Sequence, residues 1–256
     1  MATTYHVLDP DQVIKTIQTL CHRIAERFPG AGLAKVCAEL LTLAGESSAR
    51  AESITRSNLA LRTGIFTLIA AGVGGLFWIA LLLLGSVSAT ADNVYSVLQG
   101  IEAAANLTVL IGATVFFLVR IEERLKRRSA LKALHELRCI VHVIDMHQLT
   151  KDPGTVVSVG GKTPSSPART LSRFELTRYL DYCSEMLSLT SKVAVLYAQK
   201  FPEPTVVEVV SDIERIAAGL SQKIWQKIMI VETLTRGEKS TVAQAPSLSV
   251  GSTSSM

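Results

Sequence analysis

Between Arg62 and Asp92 the chain carries no charged residue. Within that interval residues 64–85 read GIFTLIAAGVGGLFWIALLLLG, longer than the roughly 20 apolar residues a helix needs to cross the hydrocarbon core of a bilayer. A second run, residues 103–119, reads AAANLTVLIGATVFFLV and covers about 26 Å as a helix, enough to span once Gln99 to Ile101 are added. A chain of 256 residues with 48% hydrophobic residues concentrated in this way is expected to be an all-α integral membrane protein, with spans at about 63–87 and 99–119.

The flanks set the expected topology. Arg50, Arg56 and Arg62 precede the first run, and Arg120, Arg124, Lys126, Arg127, Arg128 and Lys132 follow the second, whereas the connecting SVSATADNVYSVLQG has an Asp and no Lys or Arg. The positive-inside bias therefore predicts a multi-pass protein of the plasma (inner) membrane, with both termini cytosolic. The opening MATTYHVLDPDQVIK has no apolar h-region, so no cleavable signal is expected. The net charge of +4 conceals the asymmetry; Arg124, Lys126, Arg127 and Arg128 are candidates for anionic lipid headgroups. Cys21, Cys37, Cys139 and Cys183 show no CxxC spacing and fall on the predicted cytosolic side, where they are expected to be reduced.

Periodicity divides the remainder into helices. Asp9 and Pro10 make a helix start, followed by Val13, Ile17, Leu20, Ile24 and Phe28 and stopped at Pro29–Gly30. A second helix begins near Gly32 and places Leu33, Cys37, Leu40, Ala44, Ala51, Ile54 and Leu61 on one stripe, running towards the first span. Residues 1–62 thus form an N-terminal cytosolic hairpin ahead of the transmembrane hairpin at 63–119. A cytosolic helix follows at 120–151, then a Pro/Gly/Ser-rich linker at 152–169, with a brief extended piece at 155–159. Ser172 with Glu175, and Thr205 with Glu208, read as capping boxes opening two heptad helices joined by Pro-Glu-Pro. Lys227 is the polar break in the second. These give a C-terminal antiparallel helical hairpin at 170–236, packing as a bundle or coiled coil, and a disordered tail at 237–256.

Few residues suggest chemistry. His135, Cys139 and His142 recur at helical spacing, and neighbours three or four apart lie about 5–6 Å apart at Cβ, so two of them could share a metal ion completed by another helix or protomer. The alternative is a polar stripe hydrogen-bonding across a bundle. His135-Glu136 begins an HExxH pattern, but the fifth position is Cys139, which removes the second ligand of a metalloprotease. Arg138 and His142 are too close for the Rx4-6H pattern of HEPN-type ribonucleases. No Walker A loop, GxGxxG fingerprint or GxSxG elbow occurs, and basic residues alternate with acidic ones without aromatic platforms. No enzymatic activity, no cofactor and no nucleic-acid partner are expected, a metal ion being the one candidate. In the spans, Ala71, Gly72 and Gly75 offer a surface for close helix approach, and Asn106 could hydrogen-bond across it. That contact lies either within the hairpin or between protomers. Glu102 lies near the start of the second span, and neither span has an internal charge of the sort that marks an ion pathway.

HELRCIVHVIDMHQLTKDP, RYLDYCSEMLSL and KIWQKI resemble an uncharacterised family of bacterial two-span membrane proteins, a resemblance that implies no activity or site residues. The order of helix, two spans and long helix over residues 31–150 is similar to the SLATT-type two-span effectors of bacterial conflict systems, which implies membrane perforation on activation. The expectation is a non-enzymatic membrane protein whose cytosolic helices oligomerise and bind a cytosolic protein partner or signal. The alternatives are a pore assembled from several hairpins and a metal-binding protein using His135, Cys139 and His142.

Overall fold

The computed structural model describes residues 7–55, 59–85, 92–151 and 171–243, all of whose regular structure is helical. In order these are α1 (Pro10–Arg27), α2 (Gly32–Thr55), α3 (Leu59–Gly85), α4 (Asp92–Leu149), α5 (Arg173–Lys200) and α6 (Pro204–Ala243). The expected linker at 152–169, including its extended piece, the turn at 86–91, the junction at 56–58 and the tail from 244 lie outside the described residues.

The chain divides into two compact units, Met1–Ser48 with Ala133–Met256, and Ala49–Lys132. Segments that periodicity separates into an N-terminal hairpin, a middle helix and a C-terminal hairpin thus contribute to one unit. In it α1 begins as its sequence directs: Asp9 is the N-cap, its carboxylate accepting from the Asp11 N–H at 3.0 Å, and Pro10 takes the first helical position. Gly30, at φ 74°, makes the turn after Phe28. The α1 stripe Val13, Ile17, Leu20, Ile24 and Phe28 is buried throughout.

Helix α1 runs antiparallel to α5. Leu8 donates to Gln199 Oε1 at 2.9 Å and accepts from Gln199 Nε2 at 3.1 Å, Arg23 pairs with Glu185 at 3.2 Å, and Phe28 meets Tyr179 edge-on at 5.5 Å. The Ser172/Glu175 capping box opens α5. α5 buries side chains on more than one seam, from Leu176 to Tyr197, as a helix surrounded by neighbours does. Its partner α6 buries the expected stripe Val206, Val210, Ile213, Ala217, Leu220, Ile224 and Val231.

Three local expectations change. The α6 start is capped by Glu203, whose carboxylate accepts from the Val206 N–H at 3.1 Å and the Thr205 hydroxyl at 3.2 Å. Pro204 suits the first helical position and moves the cap one residue ahead of it, away from Thr205 and Glu208. α6 continues to Ala243, beyond Gly237, because an isolated Gly weakens a helix by only about 1 kcal/mol and no Pro intervenes. Finally, Cys21 and Cys37 form a disulfide between α1 and α2 rather than two thiols, with Cα atoms 5.5 Å apart. Cys139 and Cys183 remain free.

In the second unit α3 and α4 contain the segments long and apolar enough to cross a membrane, within Thr63–Leu81 and Leu98–Leu149. The most apolar window of each is not packed into a core: 6% and 0% of these windows are buried. Gly72 packs directly on Ile111 of α4, and a Cβ on Gly75 would touch Leu107 at 4.0 Å. Trp78 is exposed, as are Phe66, Phe77, Phe116 and Phe117.

Candidate functional site

Lys227 is the one charged residue in the buried stripe of α6, and a cation there needs a partner. It finds the C-terminal end of α4. Lys227 Nζ donates to the backbone carbonyl of Gln148 at 2.9 Å and to Gln148 Oε1 at 2.7 Å. Gln148 is itself buried, and its amide donates to Asp145 Oδ1 at 2.6 Å. A helix leaves its last carbonyls unsatisfied and its C-terminus partially negative, so a lysine aimed there supplies both the missing donor and the favourable charge.

One residue earlier, His147 turns towards α2 and α5. Its Nδ1 lies 3.4 Å from the Tyr179 hydroxyl, and its ring occupies the space a side chain at position 32 would need: a Cβ built on Gly32 would fall 2.5 Å from His147 Cε1. A side chain at the start of α2 would force the His147 ring to move. Lys151, just past α4, places Nζ 5.0 Å from the centre of the Tyr179 ring, a cation–π contact. α2, α4, α5 and α6 therefore meet at one polar joint made of Gly32, His147, Gln148, Lys151, Tyr179 and Lys227, with the Cys183 thiol buried beside it. HELRCIVHVIDMHQLTKDP, RYLDYCSEMLSL and KIWQKI, which are far apart in the chain, each contribute to it.

Electrostatics hold the phenol and thiol of the joint in their neutral forms. Burial, with a smaller contribution from Cys183, holds the Tyr179 hydroxyl far above its usual range. Burial likewise pushes the Cys183 thiol up to about 12, although Lys151 and Lys227 pull it the other way. Both groups are thus held in their protonated forms at neutral pH, the opposite of an activated nucleophile. His147 is shifted below its ordinary value by burial and then by Lys151.

Replacing Lys227 with methionine keeps the length and apolar stem but leaves the buried Gln148 carbonyl and amide oxygen without their charged donor. Because hydrogen bonds to charged groups contribute about 1.5–3 kcal/mol each, Lys227→Met is expected to cost about 2 kcal/mol of unfolding free energy after partial rearrangement. Urea denaturation of the full chain in detergent, followed by far-UV circular dichroism, measures this, and an unchanged midpoint would contradict the capping role.

The residues singled out from sequence are not gathered at the joint. His135 Nε2 and Cys139 Sγ approach to 3.8 Å, but His135, Cys139 and His142 are all exposed along α4. No group of three or more His, Cys, Asp or Glu close enough to hold a metal ion occurs among the described residues. Arg138, on the same helix, pairs with Asp212 of α6 at 3.5 Å. Of the four basic residues expected to meet lipid headgroups, Arg124 and Arg128 are exposed, Lys126 is tied to Glu122 at 2.8 Å, and Arg127 is half-buried. In the hairpin Gly72 and Gly75 face α4, whereas Ala71 and Asn106 are exposed. Asn106 has no hydrogen-bond partner among the described residues. Sequence reading missed the joint itself, although Lys227 as a break in a heptad stripe was its visible signal.

A second polar groove, of about 390 Å3, lies between α1 and α5 and is lined by Arg23, Glu26, Arg27, Arg178 and Tyr182. Arg23 stacks over Tyr182 at 5.3 Å, and Arg27 and Arg178 flank Phe174 at 5.1 and 5.7 Å. Two of these guanidiniums are already neutralised, Arg23 by Glu185 and Arg178 by Asp181. No protein-family model, curated protein or solved structure matches this chain.

Proposed function

We propose that the chain is a non-enzymatic two-span membrane protein whose cytosolic helices form a bundle that self-associates and binds a protein partner or signal. The observation that carries this is α4: one unbroken helix of 58 residues whose first half is apolar and exposed and whose second half, at Ala133, Leu134, Leu137, Val141 and Ile144, is buried core. Large apolar side chains exposed at this density, among them Phe66, Phe77, Val109, Leu110, Phe116 and Phe117, have bilayer lipid as their natural solvent. With the arginine-rich flanks kept on the cytosolic face, the α3–α4 hairpin is the anchor and the remaining helices are the responsive part. Exposed Arg124 and Arg128 are the headgroup contacts in this arrangement.

Self-association has a candidate face on α6. Trp225 and Met229 are four residues apart and both more than half exposed, with Ile230 adjacent. Tryptophan is enriched at the energetic centres of interfaces. Trp225→Glu is therefore expected to weaken association of the detergent-solubilised protein at least tenfold, corresponding to about 1.4 kcal/mol, read by analytical ultracentrifugation. An unchanged assembly would remove this face from the proposal.

The anchor is tested by alkaline extraction of membranes, where the chain is expected to stay in the pellet, and by a reporter on its C-terminus active only in the cytosol. Recovery in the supernatant would end the membrane reading. The pore alternative draws on Ala71 and Asn106, small and polar positions left outside the α3–α4 contact. It requires depolarisation on expression, suppressed by Ala71→Leu and Asn106→Leu.

A further inference from the structure

Protonating His147 would place a third cation at a joint that already holds Lys151 and Lys227. Among the described residues, groups from several elements face it. From α2 it meets the backbone at Gly32, the positive end of that helix; from α5 the Tyr179 hydroxyl and, beyond it, the Cys183 thiol; from the segment after α4, Lys151. From α6, Lys227 is committed to the adjacent Gln148, and the nearest carboxylate on α4 itself, Asp145, is engaged by the Gln148 amide. No carboxylate pairs with His147 among the described residues.

We propose that His147 makes the end of α4 a proton-sensitive joint, in which the neutral imidazole locks α2 and α5 onto α4 and the imidazolium releases them. With Nδ1 unprotonated the neutral ring accepts from the Tyr179 hydroxyl, and its Cε1 edge sits close to Gly32. The imidazolium has two N–H donors and no acceptor. It can keep Tyr179 only by making that hydroxyl an acceptor, and its charge meets Lys151 and the α2 N-terminus with no carboxylate opposite among the described residues. The consequence for the membrane hairpin rests on the proposed anchoring; the local release does not. It assigns to the bundle one signal, a fall in pH on its own side of the membrane.

The sign follows from linkage. His147 is shifted down in the folded protein, so the folded state binds the proton less well than the unfolded chain. Its stabilising contribution is complete above the ordinary histidine value of 6.5 and is lost as pH falls from there through the lowered folded value.

Hydrogen–deuterium exchange of the full chain in nanodiscs reads the release directly. On going from about pH 7.5 to about pH 5.5, and after correction for intrinsic exchange chemistry, amides in the first turn of α2 and the last turn of α4 are expected to exchange about tenfold faster. His147→Gln abolishes the response, whereas His142→Gln, at an exposed position, retains it. A response that persists in His147→Gln, or that is absent from the parent protein, overturns the proposal. Should His147→Gln alter the far-UV spectrum at neutral pH, selective histidine labelling and NMR titration of the parent decides: a His147 midpoint at or above the ordinary value also overturns it. Either failure leaves alkaline extraction unchanged, so it is distinguishable from failure of the membrane anchor.

Discussion

Phe28→Ala is expected to lower the unfolding free energy of the helical unit by about 3–5 kcal/mol, the range for truncating a buried aromatic side chain. Phe28 is only 1% exposed although it sits at a helix end. Its backbone closes α1, the N–H donating to the Ile24 carbonyl at 2.8 Å, and its ring packs edge-on against Tyr179 at 5.5 Å and Tyr182 at 6.2 Å. Edge-to-face pairs add about 0.5–1.5 kcal/mol beyond burial alone. The ring therefore holds the α1–α2 turn against α5, on the same tyrosine that contacts His147. Alanine would leave a cavity that the fixed turn, with Gly30 in the left-handed region, is poorly placed to close. Phe28→Leu keeps most of the volume and is expected to cost less than about 2 kcal/mol. Urea titrations of both variants in detergent give the comparison; a loss below 1 kcal/mol for Phe28→Ala would mean that the turn is not pinned through this ring.

How much of this was legible from the residues depends on the range of the interaction. Local rules acted where expected: Asp9–Pro10 begins α1, Ser172 and Glu175 close a capping box, and the heptad stripe of α6 from Val206 to Val231 faces inward. These depend on backbone donors within a few residues and on a single apolar face. Local rules failed where two of them competed, as at α6, where Pro204 displaced the cap from Thr205 to Glu203.

Tertiary facts were less visible. Tyr179 and Tyr182 are interleaved with Asp181 and Glu185 in sequence, yet both rings are buried, because α5 has neighbours on several sides and a phenol ring can be buried if its hydroxyl is satisfied. His135, Cys139 and His142 share a helical stripe as their spacing requires, but spacing alone does not decide which way the stripe points, and here it faces outward. Lys227 was visible as an anomaly and opaque as a function, since its partner is the end of a helix 79 residues away. Gly72 and Gly75 read as a close-approach surface used either within the hairpin or between protomers, and α4 packs on it.

Loss of the Cys21–Cys37 bond is expected to cost about 3 kcal/mol, from the loop-closure entropy of a link spanning 16 residues. The two cysteines are equidistant from Pro29, so a tight antiparallel α1–α2 turn brings them face to face. Their Cα separation of 5.5 Å falls within the usual range for a disulfide. In oxidised protein, denaturing thiol titration is expected to find two reactive thiols, Cys139 and Cys183, and four after reduction; Cys21→Ser/Cys37→Ser should match the reduced parent in stability. The same pair reports on topology. A cytosolic bundle faces a glutathione pool that keeps thiols reduced, so alkylation of intact cells before lysis should trap Cys21 and Cys37 as thiols, with the bond closing only on exposure to oxidant. Complete disulfide in freshly trapped cells would place α1 and α2 in an oxidising compartment. The arginine-rich flanks of the hairpin would then lie on the wrong side of the membrane, and the inward orientation proposed from them would have to be reversed.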